Sequence, residues 1–175
     1  MKNLYTLFLI SPMAMLYSCF STQNMGKSAY ISYDKVYIKH TGIDSIAIIA
    51  ITADTSKAVY EKAVNKIQSS FSAAGIYNIN SFFSPEEGAQ AVNRKINQIA
   101  MPVRLVMNPV ASSYQLDELN NTFYVKQIPC FLQKNTGEHI ADFSVRIDRE
   151  ASIDKTGGDV AAVMLAYLKK KNFIK

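Results

Sequence analysis

The apolar positions change their spacing several times along the chain, and each change marks an element. Residues 45–52, Ser-Ile-Ala-Ile-Ile-Ala-Ile-Thr, are apolar almost without interruption, which predicts a strand covered on both faces. Before it, residues 30–39 are rich in Tyr, Ile and Val and read as extended, with Gly42 breaking the run. After it, Val59, Ala63, Ile67, Phe71 and Ala74 recur at three- and four-residue steps, the stripe of an amphipathic helix. Asp54 and Thr55 are its expected caps. Gly75 stops it in the C′ position, and Ile76 is the apolar residue that packs back on the last turn. A short strand is expected over residues 76–83.

Ser84-Pro85-Glu86-Glu87 combines a Ser cap, Pro at the first helical position and Glu three after the cap, so a second helix is expected to start there. It turns Val92, Ile96 and Ile99 inward and ends before Pro102. A third strand covers residues 103–107. Residues 110–116 read as extended, 117–121 as a polar turn, and 122–132 as a long strand. Pro129 within that strand suggests an edge or a bulge. Asn135-Thr136-Gly137 turns the chain back into residues 139–147, an antiparallel hairpin. Thr156-Gly157-Gly158-Asp159 is expected to open the closing helix, with Val160, Val163, Met164, Tyr167 and Leu168 on one face and Phe173 and Ile174 returning to the sheet. The pattern predicts an α/β fold with an α+β tail: a β-α-β-α layer, then an antiparallel hairpin region and a C-terminal helix, forming a mixed sheet with helices packed on it.

The first residues do not belong to that pattern. Residues 1–18 carry one charge, Lys2, then an apolar run, then a small residue, the parts of a secretory signal. The run is shorter than the ~20 apolar residues a spanning helix needs. It closes as Leu16-Tyr17-Ser18-Cys19, which resembles the lipobox of bacterial lipoproteins, with Tyr17 bulkier than the residue usual there. The resemblance implies cleavage between Ser18 and Cys19 and a lipid on Cys19. The alternative is an ordinary secreted chain in which Cys19 pairs or stays free. Residues 19–28 are polar and small and read as a tether reaching at most ~35 Å, followed by a single α/β domain over 29–175. Phe20, in place of an Asp after the Cys, favours an outer-membrane location facing the periplasm.

Composition narrows the partners. With 19 Lys+Arg against 14 Asp+Glu the net charge is +5, and removal of Lys2 leaves 18 against 14, or +4. Lys169, Lys170, Lys171 and Lys175 crowd the C-terminus. They complement a helix's negative end as a solvated face, and they are also candidates for contact with an anionic surface. The export signal argues against nucleic acid. The chain has 2 Cys, too few for a disulfide framework, and Cys130 within an apolar run reads as a small buried hydrophobe.

Candidate chemistry is sparse. His40 and His139 stand far apart in the chain, and neither has ligands at metal spacing, so neither a metal nor a cofactor is expected. Glu138 and His139 adjoin the hairpin turn and are a candidate interaction pair, although turns collect polar residues for solvation alone. Asp34, Asp44 and Asp54 surround the first strands and would matter as carboxylates only if they converged. Thr156-Gly157-Gly158-Asp159 at a helix start would offer N–H groups to an anion, but Asp159 would repel it. No nucleophile elbow, zinc-protease motif or phosphate loop occurs. Catalysis is not expected.

Several stretches resemble one small envelope domain: Ile46-Ala47-Ile48-Ile49-Ala50-Ile51, the helix end Ala74-Gly75, the strand and return Phe131-Leu132-Gln133-Lys134-Asn135-Thr136-Gly137-Glu138, and the closing Leu165-Ala166-Tyr167-Leu168-Lys169-Lys170-Lys171-Asn172-Phe173-Ile174. Together they are similar to the domain shared by the curli-secretion lipoproteins (CsgG-like), the N-terminal domain of TolB and the lipoprotein activators of cell-wall synthases. The resemblance implies a non-catalytic envelope module that docks on proteins or self-assembles. The chain departs from these relatives in being short for a secretion pore and in lacking a long arm or a propeller. The competing expectations are an envelope enzyme or small-ligand binder with a cleft at the strand ends, and a subunit of an oligomeric secretion complex.

Overall fold

The structure, a computed structural model, describes residues 29–39, 42–116, 122–148 and 151–175. The signal, Ser18, Cys19, the tether and His40 lie outside them, as does the expected turn at 117–121. The elements are β1 (Ala29–Val36), β2 (Ser45–Ile51), α1 (Asp54–Ala73), β3 (Tyr77–Phe83), a 3-10 turn (Pro85–Glu87), α2 (Ala89–Asn97), β4 (Val103–Met107), β5 (Ala111–Leu116), β6 (Thr122–Lys134), β7 (His139–Ile147) and α3 (Ile153–Lys170). The strands form one mixed sheet in the order β1-β7-β6-β4-β2-β3, with β5 paired to β6. β2 is parallel to β3 and β4, and the other pairs are antiparallel. The expected α/β architecture is the one observed.

β2 is buried from Ile46 to Ile51, because α1 covers one face and α2 the other. α1 ends as its sequence requires. Gly75 takes a φ of +73°, Ile76 N–H donates to the Phe71 carbonyl at 2.9 Å, and the Ile76 side chain is buried. Its start differs from expectation. The N-cap is Ala53, with no side-chain cap bond, and Asp54 sits inside the first turn, where its charge still favours the positive helix end. Ala74 caps the other end and is exposed, while Tyr60 and Val64 join the buried face.

The Ser84 motif forms its capping box but caps only a 3-10 turn. Ser84 Oγ accepts from Glu86 N–H at 3.2 Å, and the Glu87 carboxylate accepts from Ser84 N–H at 3.4 Å. Gly88, with a φ of +84°, then bends the chain out of helical geometry, and α2 starts one residue later. Ile99 lies beyond α2, whose last residue is Asn97.

Pro129 is neither at an edge nor at a bulge. It lies within β6, which has β7 on one side and both β4 and β5 end to end on the other. Asn108 N–H, in the gap between β4 and β5, donates to the Pro129 carbonyl at 2.8 Å. In an antiparallel pair a residue's N–H and C=O point the same way, so the donor that proline lacks would face that gap, where the ladder is already interrupted.

The larger core lies between the sheet and the pair α1 and α3, and the smaller one lies under α2, where Val92 and Ile96 meet Ala47, Ile49 and Val106. α3 begins three residues before Thr156. Ser152 Oγ accepts from Lys155 N–H at 3.3 Å, so Ser152 is the cap and Thr156-Gly157-Gly158-Asp159 is interior. The expected helix start, and with it any anion site made from free N–H groups there, is therefore overturned. Gly157 instead lets α3 lie against α1, because a Cβ there would stand 2.7 Å from Lys62 Cβ and 2.7 Å from the Val59 carbonyl oxygen. At the far end Asn172 adopts a φ of +60°, returning Phe173 and Ile174 to the core as expected.

Arg104 is 1% exposed, although its register places it in a sheet interior. Its guanidinium donates to the carbonyl of Asn97 at 3.3 Å, an acceptor in the last turn of α2, and to that of Ile99 at 2.8 Å, which also accepts from Met101 N–H at 2.9 Å. Arg104→Ala would take the guanidinium donor from the Asn97 carbonyl and open a void. Urea unfolding is expected to show a loss of about 3 kcal/mol. Arg104→Met, which keeps most of the volume, should lose less.

Candidate functional site

From Ala141 onward β7 alternates, with Ala141, Phe143, Val145 and Ile147 buried in the larger core and Asp142, Ser144 and Arg146 on the opposite face. Cross-strand partners share a face, so Tyr33 opposite Ser144, Tyr30 opposite Arg146 and Lys35 opposite Asp142 join them. α2 reaches across this side of the sheet as far as Phe131. Beyond it, among the described residues, no helix covers the face formed by β6, β7 and β1.

This uncovered face is aromatic and ordered by specific contacts. Asp142 is the hub: one carboxylate oxygen lies 2.6 Å from His139 Nδ1, and the other accepts from the Tyr37 hydroxyl at 2.9 Å. The imidazole stacks on Phe131 at 5.2 Å and meets Tyr37 edge-on at 6.2 Å. The hydrogen bond to Asp142 raises the Tyr37 phenol above its ordinary pKa. The Lys35 ammonium lies 4.7 Å from the Tyr37 ring centroid, and the Arg146 guanidinium lies 5.7 Å from that of Tyr30. Tyr33 is 52% and Tyr37 48% exposed. Such rigid aromatic side chains, tipped with a polar atom, suit protein contact.

The other sequence candidates fall in different places. Glu138 and His139 take different partners: Glu138 pairs with Lys134 at 2.7 Å, while a bulge in β7 brings His139 toward Asp142. Lys169 and Lys170 are exposed at the end of α3, but Lys171 turns inward to pair with Asp34 at 2.5 Å. Asp34, Asp44 and Asp54 do not converge. β1 and β2 are four strand spacings apart in the sheet, or about 19 Å, and Asp54 lies past the other end of β2. No group of three potential metal ligands occurs among the described residues. The aromatic cluster was not visible in sequence, since it joins residues more than ninety positions apart through strand order alone.

A cavity of about 410 Å³ runs along the flank of β1 beneath α3, where Asp34 lines it with Tyr167 and Lys170. It lies along β1 and not at the carboxyl ends of the parallel strands β2, β3 and β4, the place a small-ligand cleft would occupy in an open α/β sheet. No helix of the described residues is long and apolar enough to cross a membrane.

Cys130 belongs to the larger core, 2% exposed, with its Sγ 3.4 Å from the Ile128 carbonyl. Burial pushes its thiol well above the ordinary range, which removes the reactive thiolate at neutral pH. Peptide mapping after iodoacetamide treatment at pH 8 should find Cys130 unmodified in the folded chain and modified in urea. Rapid alkylation of the folded chain would contradict this burial.

No known protein family matches the chain, and no curated protein matches it. Among solved structures it is similar to a PelC dodecamer from Paraburkholderia phytofirmans, at 15% identity and a TM-score of 0.47, over 84% of this chain and 99% of that one. It is also similar to a minor lipoprotein from Acinetobacter baumannii, at 8% identity and a TM-score of 0.36, over 75% of this chain and 92% of that one. Neither overlap is close enough to transfer the role of a residue.

Proposed function

We propose that this chain is a bacterial envelope lipoprotein, anchored by a lipid on Cys19, whose folded part docks a protein partner and performs no chemistry of its own. The observation that carries the docking role is the uncovered face of β6, β7 and β1. An aromatic surface held in one arrangement by Asp142 loses little side-chain freedom on binding, which is the main expense of forming an interface. The lipobox-like Leu16-Tyr17-Ser18-Cys19 supports the anchor. The short tether in turn keeps the docking face close to the membrane, and we place that membrane as the outer one, with the domain in the periplasm. A non-catalytic role is what the resemblance to the curli-secretion lipoprotein family and its relatives implies.

Photo-crosslinking in intact cells tests the reading. A crosslinking residue at Tyr33 or Tyr37 is expected to give a discrete adduct with another envelope protein, while one at Glu61, exposed on α1, gives none. Silence at Tyr33 and Tyr37 would overturn it.

Self-association is the second reading, favoured by sheet edges at β1 and β3 that have no strand partner among the described residues. β1 exposes Tyr33 and Val36, and β3 exposes Tyr77. Contact between unlike edges is head-to-tail and generates a ring or a filament. A monomeric mass in detergent would exclude it.

A further inference from the structure

We infer that the docking surface selects its partner through a basic end, formed by Lys39, Lys169, Lys170 and Lys175, that takes an acidic segment of a protein. This rests on the docking role above and names the partner's chemistry. The chain segments that carry these lysines meet at one end of the sheet. After β1, the N–H groups of Tyr37 and Ile38 donate to the Ile140 carbonyl at 2.9 and 3.2 Å, holding that segment against the start of β7. After α3, Lys171 pairs with Asp34 at 2.5 Å, and the Phe173 carbonyl accepts from Ile43 N–H at 3.0 Å. All four lysines are exposed there.

Their charges are not neutralised. None of the four makes an ion pair among the described residues. The carboxylates at this end are mostly engaged: Asp34 by Lys171, Glu138 by Lys134, and Asp142 by His139 and Tyr37. Asp44 and the terminal carboxylate are left, and the ends of α1 and α3 each add about half a unit of negative charge. The four lysines, together with Lys35 at 4.7 Å from the Tyr37 ring centroid, exceed that negative charge. The opposite end has the reverse character, with Asp54 and Asp154 in the first turns of α1 and α3 and Glu86 and Glu87 after β3.

The position of this end favours a protein over anionic lipid. Lys39 lies two residues beyond Tyr37, so the charged end continues the aromatic docking face. The chain enters the fold at Ala29, at the other end of the 8 residues of β1, about 23 Å away. The proposed anchor therefore holds the opposite end toward the membrane and leaves the lysines facing away from it. Charge complementarity asks for carboxylates on the partner, placed beside apolar residues that lie on Tyr33 and Tyr37. Charges at the rim of an interface steer encounter and reject like-charged partners.

The probe is a fluorescent Glu-Glu-Leu-Glu-Glu-Leu-Glu-Glu peptide, titrated into the mature lipoprotein in detergent at about 0.15 M salt, against the same peptide with Gln for Glu. The acidic peptide is expected to bind about tenfold more tightly. Lys39→Gln, Lys169→Gln, Lys170→Gln and Lys175→Gln together should weaken it about tenfold. The same exchange at Lys57, Lys62, Lys66 and Lys155, exposed on α1 and at the start of α3, removes equal charge and should leave binding within about twofold. Equal affinity for the two peptides, an equal loss in both sets of variants, or no binding below about 1 mM would each overturn the basic end. A crosslinking residue at Ala166, exposed one turn before Lys170, should capture in cells the same protein as one at Tyr37, and capture of phospholipid instead would overturn it too. Crosslinks from Tyr37 separate this inference from the docking role. Adducts lost in the Lys39, Lys169, Lys170 and Lys175 variant support both, adducts retained in it keep docking and sink the basic end, and silence in the native chain sinks both.

Discussion

Gly157→Leu is expected to leave the chain largely unfolded, and Gly157→Ala to lower its melting temperature, although alanine is the better helix former. In an open helix the exchange of Gly for Ala gains about 1 kcal/mol. Here the new Cβ would meet Lys62 Cβ and the Val59 carbonyl at 2.7 Å each. Both belong to the rigid part of α1, so the two helices must move apart along the whole of their contact. Overpacking of this kind costs about 1–3 kcal/mol, and more for leucine. Contact with the backbone carbonyl of Val59 puts the cost toward the upper end of that range, so the net loss for Gly157→Ala reaches about 2 kcal/mol, or about 6 °C in a chain of this size.

The neighbouring residue provides the control. A Cβ at Gly158 would meet only Lys66 Nζ, at 3.6 Å, an ordinary contact with the end of a flexible side chain. Gly158→Ala should therefore raise the melting temperature by about 2–3 °C. Thermal unfolding of the two variants should give shifts of opposite sign. Two shifts of the same sign would show that α1 and α3 are not packed through Gly157.

Cys19→Ala has the other large expected effect, on location rather than stability. If Cys19 carries the lipid, its replacement removes both the anchor and the residue at which the signal is cut. The variant is expected to accumulate as an uncleaved precursor and to leave the detergent-rich phase in which the native chain partitions. Intact mass measures both changes at once: the native chain should begin at Cys19 with added lipid, and the variant should retain residues 1–18. A native chain that begins elsewhere, or carries no lipid, would reject the anchor. The folded part should melt as before, because its core begins at Ala29.

The elements that could be read from sequence were those defined by local chemistry. β2 was legible because six successive apolar residues have few uses other than a strand covered on both sides. The end of α1 was legible because Gly75 and Ile76 satisfy a turn spanning only a few residues, and the β6–β7 hairpin because Gly137 supplies the left-handed position at its turn. Misplacements occurred where two local signals competed. Thr156-Gly157-Gly158-Asp159 looks like a helix start because glycines usually mark boundaries. Ser152 caps the helix earlier, and Gly157 is there for a neighbour that sequence spacing does not reveal. The Ser84 motif was correctly recognised as a cap, but Gly88 ended the turn it started.

The sequence by itself determined the α/β class, most strands and helices, and the lipobox-like start that motivates the anchor, since each follows from residue spacing within a turn or a strand. Tertiary structure alone decided the rest. It made Pro129 tolerable by setting the gap between β4 and β5 against it, and it buried Arg104 by giving its guanidinium the carbonyls of Asn97 and Ile99. It also placed β1 beside β7, bringing Tyr37 to Asp142. These outcomes depend on strand order, which is settled by the simultaneous burial of distant apolar faces and leaves no local pattern in the chain.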